Sequence, residues 1–197
     1  MPPIHIAILA SGSGSNAENI FNYFSGRNDI EISLILSNKA EAYVHKRAER
    51  LCIPSLTMSK QDLEDSNKIL RVFRNYRINF VILAGYLMLV PKELILAYPN
   101  RIVNIHPALL PRFGGKGMYG DKVHQAVVES GDSESGITIH YVNENFDDGA
   151  IIFQIKCAVS KNDTPENVAS KVHALEYKYY PSIVDKIIKK EFQLSLD

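Results

Sequence analysis

Cysteine is scarce in this chain of 197 residues, which contains only Cys52 and Cys157. The two lie far apart and lack CxxC spacing, so two buried thiols are favoured over a disulfide or a metal site. Net charge is also absent, because 22 Lys and Arg residues balance 22 Asp and Glu residues. The chain therefore lacks the overall positive charge that nucleic acids and anionic membrane surfaces attract.

Long hydrophobic runs are missing as well. No apolar run approaches the roughly 20 residues that span a bilayer, and the first one begins at Ile4 with no basic segment before it. We therefore expect a cytoplasmic protein that binds neither membrane nor nucleic acid. Hydrophobic residues make up 46% of the chain and no stretch resembles a linker, which predicts a single domain over residues 1–197.

Apolar runs alternate with helical patterns in the first part of the chain. The runs are typical of buried parallel strands and occupy residues 4–10, 30–36, 80–84 and 101–106. The helical patterns cover residues 16–24, 40–51 and 121–129, with one further helix from the capping pair Ser59 and Asp62 through Phe73.

The pattern changes after residue 136. Apolar and polar residues alternate over 137–142, a turn follows at 147–149, and a second strand is expected over 150–158. Thr164 and Pro165 then begin a long helix, which Pro181 is expected to break or kink. The fold class predicted is α/β: a Rossmann-like, doubly wound, mostly parallel sheet with an antiparallel C-terminal hairpin and a long C-terminal helix.

A glycine-rich segment, residues 12–17, joins the first strand to the first helix. Glycines there let backbone N–H groups at a helix N-terminus approach an anion such as a phosphate. The segment also reads GxGxxA, the dinucleotide pattern, so an NADP-dependent reductase is an alternative. Ser37-Asn38-Lys39 at the end of the second strand replaces the acid that NAD enzymes use. A third interpretation is a plain strand-to-helix turn that binds no ligand.

Two polar residues, Asn104 and His106, stand near the end of one predicted strand. Strand alternation places both on one face, roughly 6.6 Å apart. An amide N–H beside an imidazolium is suited to stabilise an oxyanion that develops on a carbonyl. The same spacing also fits a polar pair that only caps the strand.

The turn that contains Asp147, Asp148 and Gly149 offers two carboxylates. One of them could pair with His106 and relay protons through water, but spacing does not select between the aspartates. Ordinary turn chemistry explains the same residues. A single histidine on a strand, such as His140, more often has a structural role than a catalytic one. Glu176 borders the apolar stripe of the C-terminal helix, where a solvated acid is expected. The remaining histidines lack metal-ligand spacing, so no metal site is predicted.

Five motifs occur in one order along the chain: SGSGSN at 11–16, LSNKAEA at 36–42, LAGYL at 83–87, NIHPALLPRF at 104–113 and DDGAIIFQ at 147–154. In this order they closely resemble the phosphoribosylglycinamide formyltransferase family, folate-dependent enzymes of purine synthesis. The resemblance extends from Ile4 to about Ile188. The HPALLP motif is shared with the wider formyltransferase superfamily, so a different amine acceptor is a second alternative.

The resemblance implies the functional residues and ligands. It assigns catalysis to Asn104, His106 and Asp147, rather than Asp148. It assigns the acceptor, glycinamide ribonucleotide, to Gly14, Ser15, Asn16 and Glu176. It assigns the co-substrate 10-formyltetrahydrofolate to Leu87, Met88, Leu89, Val90, Asn104, Asn143, Glu144, Asn145, Phe146 and Asp147.

The same resemblance implies a nucleotide- and phosphate-binding half over residues 1–100 and a folate-binding and catalytic half over 101–197. It also implies small-molecule partners, no metal, and a monomer or homodimer. Met88 departs from the family, which usually has an arginine there, and the segment 114–120 is richer in glycine than in many members.

Overall fold

The structure is a computed structural model and describes residues 2–193, except for the side chains of Glu64 and Ser66. Within this range seven strands form one sheet in the order β3-β2-β1-β4-β5-β6-β7. The strands are β1 (Ile4–Leu9), β2 (Ile30–Ser37), β3 (Ser55–Thr57), β4 (Ile78–Leu83), β5 (Ile102–His106), β6 (Glu134–Tyr141) and β7 (Ile151–Ala158). The first five are parallel to one another, whereas β6 is antiparallel to both β5 and β7.

Helices cover both faces of this sheet, which confirms the predicted doubly wound α/β class. They are α1 (Ser15–Phe24), α2 (Val44–Arg50), α3 (Lys60–Glu64), α4 (Ser66–Asn75), α5 (Lys92–Ala97), α6 (Asp121–Ser130) and α7 (Pro165–Glu191). Helices α1, α2, α6 and α7 pack on one face around one hydrophobic cluster. Helices α3, α4 and α5 pack on the other face around a second cluster.

Strand β1 shows why its sequence is continuously apolar. Ile6 and Ile8 point into the first cluster, whereas Ala7 and Leu9 point into the second. All four are at most 1% exposed. A central strand buried on both faces has no polar side, so alternation is lost from its sequence.

The C-terminal helix begins as the sequence predicts and continues further than it predicts. Thr164 forms a capping box, and Pro165 occupies the first turn, where a missing N–H costs nothing. The helix is not broken at Pro181, which lies inside it. Proline leaves the Tyr177 carbonyl without its helical donor, and Asn19 Nδ2 donates to that oxygen at 3.0 Å instead.

Several predicted boundaries are wrong for local reasons. Helix α2 begins at Val44 rather than at residue 40. The helix predicted from Ser59 is two helices, because Asp65 leaves the helical backbone and caps α4 by accepting the Asn67 N–H. Strand β3 and helix α5 were not predicted, since three and six residues are too few for a periodic pattern. None of the described helices is long and apolar enough to span a membrane.

Candidate active site

An open cavity of about 530 Å³ lies at the carboxyl ends of β1, β4 and β5. The strand order changes direction between β1 and β4, and such a switch point is where open parallel sheets bind ligands. The loops after these strands and parts of α6 and α7 line the cavity. The lining residues used below are Gly14, Ser15, Asn16, Leu87, Asn104, His106, Lys116, His124, Phe146, Asp147, His173 and Glu176.

The structure brings Asn104, His106 and Asp147 together at this cavity. Asp147 Oδ2 lies 3.4 Å from His106 Nδ1, and Asp147 Oδ1 accepts from Asn104 Nδ2 at 3.4 Å. Asp148 is exposed and accepts from the side chains of Asn143 and Asn145 instead. The geometry therefore selects between the two aspartates, a choice that spacing alone left open.

The turn that carries Asp147 is held by close backbone packing. Asp147 has a φ of 54°, a left-handed conformation that aspartate tolerates better than most residues. A Cβ on Gly149 would lie 1.6 Å from the Tyr141 carbonyl oxygen, so only glycine fits there. The Gly115 N–H donates to Asp147 Oδ2 at 3.0 Å, which fixes the carboxylate from the opposite side.

The carboxyl group of Asp147 is ionised in this environment. Burial would raise its pKa, but the neighbouring His106 and His140 side chains and the Gly115 N–H together lower the pKa well below its ordinary value. The side chain is only 12% exposed, so solvent screens these interactions weakly. Asp147 therefore places a fixed negative charge against His106.

Hydrogen bonding at both rings restricts the proton positions on His106 and His140. His106 Nε2 lies 2.7 Å from the Phe113 carbonyl oxygen, which can only accept, so Nε2 carries a hydrogen. His140 Nδ1 likewise donates to the Tyr141 carbonyl oxygen at 2.8 Å. In its neutral form His140 then accepts from Asn104 Nδ2 at Nε2, over 3.1 Å.

His140 thus orients the Asn104 amide, a contact that sequence reasoning missed when it favoured a plain structural role. The signal lies in the register, because His140 pairs directly with Asn104 across β5 and β6. Register of this kind is set by long-range pairing and cannot be read from either strand alone. His140 is 2% exposed, so its ring is fixed in this position.

The glycine-rich segment and Glu176 meet on the other side of the cavity. Gly14 has a φ of 74°, and a Cβ there would lie 2.4 Å from Val44 Cγ2. Ser15 and Asn16 form the first turn of α1, where backbone N–H groups have no helical acceptor. Asn16 Nδ2 donates to Glu176 Oε2 at 2.9 Å, and the buried Asn16 Oδ1 has no partner among the described residues.

The expectation from spacing that Glu176 is a solvated acid is wrong. Glu176 is 6% exposed because it faces the cavity and the first turn of α1 rather than water. Burial raises the pKa of its carboxyl group, and the hydrogen bond from Asn16 offsets part of that increase. A buried carboxyl group beside an unpartnered amide oxygen offers a polar site for a ligand.

Comparison with known proteins places this arrangement in a family. The formyl transferase family model matches residues 4–184. A phosphoribosylglycinamide formyltransferase of Bacillus subtilis is 37% identical over 187 residues, covering 92% of this chain and 93% of the relative. This chain belongs to the phosphoribosylglycinamide formyltransferase family.

Further members of the family agree in sequence and in structure. A chloroplastic phosphoribosylglycinamide formyltransferase of Arabidopsis thaliana is 44% identical over 194 residues, or 95% of this chain. This chain spans 66% of that relative and 61% of a chloroplastic relative from Vigna unguiculata. The crystal structure of the Bacillus halodurans phosphoribosylglycinamide formyltransferase matches with a TM-score of 0.85 at 34% identity, covering 98% of this chain and 100% of that one.

The residues that the family resemblance assigned to folate are only partly brought together. Leu87, Asn104, Phe146 and Asp147 line the cavity. The other six, which are Met88, Leu89, Val90, Asn143, Glu144 and Asn145, lie outside its lining. Val90 is 5% exposed and packs in the second hydrophobic cluster, and Glu144 pairs with Lys92 at 3.0 Å. Within residues 2–193, no group of three or more His, Cys, Asp or Glu residues has a metal-binding arrangement.

Proposed function

We propose that this chain transfers a formyl group from 10-formyltetrahydrofolate to the amine of glycinamide ribonucleotide, a step of de novo purine biosynthesis. The observation that carries the proposal is the joint placement of Asn104, His106 and Asp147 beside the Gly14–Asn16 segment in one cavity. A carbonyl-activating cluster next to an anion site fits a reaction between a formyl donor and a phosphorylated amine. Family membership supports the same reaction.

The acceptor fits the side of the cavity formed by α1 and α7. Its phosphate would lie at the N-terminus of α1, where N–H groups of Ser15 and Asn16 are available and the helix dipole is positive. Its ribose hydroxyl groups would satisfy the unpartnered Asn16 Oδ1 and the Glu176 carboxyl group. This placement would direct the amine of the acceptor toward Asn104 and His106.

The formyl donor fits the opposite wall. Leu87 and Phe146 line the cavity together with Asn104 and offer an apolar surface to a flat ring system. The cavity volume of about 530 Å³ lies within the range of roughly 300–1,000 Å³ that is usual for small-molecule sites. We propose that the folate carbon group to be transferred lies against Asn104.

The reaction forms a bond between the acceptor nitrogen and the formyl carbon and breaks the bond between that carbon and N10 of the folate. Asn104 and protonated His106 stabilise the oxyanion of the tetrahedral intermediate through their N–H groups. Asp147 holds the charge on His106 and, through water, moves the proton from the attacking amine to the departing N10. No covalent bond to the protein is required.

The cluster must rearrange slightly to act in this way. The Nε2 hydrogen of His106 is directed to the Phe113 carbonyl oxygen, and the Asn104 amide is shared between His140 and Asp147. The substrate oxygen therefore competes with internal acceptors for these donors. Such internal pairing keeps buried polar groups satisfied until a substrate replaces the partner.

One mixing experiment tests the proposed function. Purified protein is combined with glycinamide ribonucleotide and 10-formyltetrahydrofolate, and deformylation of the folate is followed by absorbance. We expect a rate that requires both substrates, and we expect no change in nicotinamide fluorescence when NADPH is titrated. Deformylation without the acceptor, or transfer only to a different amine, would reject the proposed acceptor.

The sequence also predicts the partners, assembly and location of this protein. The absence of nucleic-acid partners, the monomeric or homodimeric state and the two functional halves of the domain stay predictions. The cytoplasmic location also stays a prediction, since the relatives include chloroplastic proteins. The cavity is lined from both halves, with Ser15 and Leu87 from the first and His106 and Glu176 from the second.

A further inference from the structure

The glycine-rich segment from Gly114 to Gly120 forms one wall of the cavity. It is attached at its beginning to the catalytic cluster, because Phe113 O accepts from His106 and Gly115 N donates to Asp147. Gly115 and Gly117 have φ values of 94° and 92°, so left-handed backbone stands on both sides of Lys116. This backbone presents Lys116 at the cavity, where its side chain is exposed.

Among the described residues that line the cavity, Lys116 is the only lysine or arginine. The acids in the lining are Asp147, which pairs with His106, and Glu176, which is buried against Asn16. The N-terminus of α1 supplies a positive charge of only roughly +0.5, whereas a phosphate monoester carries about −1.5 to −2 at neutral pH. The proposed acceptor therefore needs a full cation that the first turn of α1 does not provide.

A basic side chain also contacts the other glycine-rich segment, residues 12–17, and it is already paired. Arg47 Nε donates to the Ser13 carbonyl oxygen at 2.8 Å, and its guanidinium pairs with Glu18. These contacts hold the glycine-rich turn to α2, and Arg47 does not line the cavity. Arg50 also pairs with Glu18 and does not line the cavity either. Besides the histidines of the lining, Lys116 is therefore the basic side chain that the described cavity offers to a phosphate.

We propose that Lys116 binds the phosphate group of the acceptor from the side opposite α1. This inference rests on the proposed function and adds to it a specificity-determining residue. Lys116 would select for a phosphorylated amine over the corresponding nucleoside, because its charge is of use only when the phosphate is present. We assign it no part in the transfer step, because among the described residues no hydrogen bond or ion pair joins the Lys116 side chain to Asn104, His106 or Asp147.

The test compares Lys116→Met with Lys122→Met in the full-length protein. Lys122 is a matched control because it is exposed on α6, stacks on Tyr119 at 5.0 Å and does not line the cavity. A charge-assisted hydrogen bond contributes about tenfold to a hundredfold in affinity, so Lys116→Met should raise KM for glycinamide ribonucleotide by that factor. We expect kcat and KM for the folate to change by less than about threefold, and Lys116→Arg to recover most of the affinity.

Two further measurements make the outcome decisive. With the unphosphorylated nucleoside as acceptor, the wild type and Lys116→Met should have equal kcat/KM, since the interaction removed by the substitution is absent. Ribose 5-phosphate binding, measured by calorimetry, should weaken in Lys116→Met and not in Lys122→Met. The calorimetric result applies even if the wild type shows no transferase activity, which separates failure of this inference from failure of the proposed function.

Three results would overturn the assignment of Lys116. The first is an unchanged KM for the acceptor together with unchanged ribose 5-phosphate binding. The second is an effect confined to KM for the folate, which would assign Lys116 to a carboxylate of that substrate. The third is an equal loss with the nucleoside and the nucleotide, which would indicate a change in the shape of the cavity wall rather than a lost phosphate contact.

Discussion

Replacing Asp147 with asparagine tests the catalytic cluster most sharply. The substitution keeps the volume of the side chain and one oxygen that can accept from Gly115 N, but it removes the negative charge. With that oxygen toward Gly115 N and His106 Nδ1, the new NH2 group replaces Oδ1 and faces Asn104 Nδ2, from which the carboxylate now accepts at 3.4 Å. We expect kcat to fall strongly and both KM values to change little, because the charge acts mainly when His106 is protonated.

The size of the loss follows from the geometry. Two unit charges 3.4 Å apart attract by about 5 kcal/mol at an effective dielectric constant of about 20, which sets an upper bound because the Asp147 side chain is 12% exposed. General acid–base groups contribute about 10²- to 10⁴-fold, or about 2.7–5.5 kcal/mol. We therefore expect kcat to fall by between about 10² and roughly 4 × 10³ in Asp147→Asn.

The measurement is steady-state deformylation of the folate under saturation by both substrates. Asp148→Asn is the matched control, since Asp148 is the neighbouring carboxylate, is exposed and contacts only Asn143 and Asn145 among the described side chains. Its kcat should remain within about twofold of the wild type. An Asp147→Asn variant with wild-type kcat, or a larger loss in Asp148→Asn, would refute the reasoning.

Three other substitutions give distinct results. Burial raises the pKa of the Glu176 carboxyl group above 4.5, so the contribution of this group to stability is full below that pH and is lost as pH rises. Glu176→Gln should therefore unfold at a higher temperature than the wild type near pH 8 and at a similar temperature near pH 4. A lower melting temperature at both pH values would contradict this. Tyr180 is fully buried, and its hydroxyl group donates to the Leu83 carbonyl oxygen at 2.8 Å. Tyr180→Phe should therefore lower the free energy of unfolding, measured in urea, by about 1–3 kcal/mol. An unchanged free energy of unfolding would show that this hydrogen bond contributes nothing. Gly149→Ala would place a Cβ 1.6 Å from the Tyr141 carbonyl oxygen and displace the turn that carries Asp147. The substitution should therefore reduce both thermal stability and kcat. Wild-type values for both would show that the turn accommodates a side chain.

The central strands of the sheet could be predicted from the sequence because they are buried on both faces. Continuous apolar runs identified β1, β2, β4 and β5, and alternation identified the hairpin of β6 and β7. Short elements were not predictable in this way, since β3 and α5 are set by their tertiary contacts. The break at Asp65 was missed because helical spacing continues across it, and only the cap on Asn67 reveals it.

The candidate site shows the same division between local and long-range information. Strand alternation placed Asn104 and His106 on one face, which the structure confirms. The choice of Asp147 over Asp148, the contact of His140 with Asn104 and the burial of Glu176 all depend on segments that are distant in sequence. The family resemblance supplied the choice of Asp147 and assigned Glu176 to the acceptor, whereas residue spacing could do neither.

Direct transfer can be tested most plainly by following the formyl carbon itself in a single turnover. Protein in excess is mixed with folate labelled in the formyl group and with glycinamide ribonucleotide, and the products are separated by mass. The account predicts that the label moves to the acceptor amide and that none is attached to the protein at any time. Label bound covalently to the chain, or released as free formate while the acceptor stays unchanged, would contradict it.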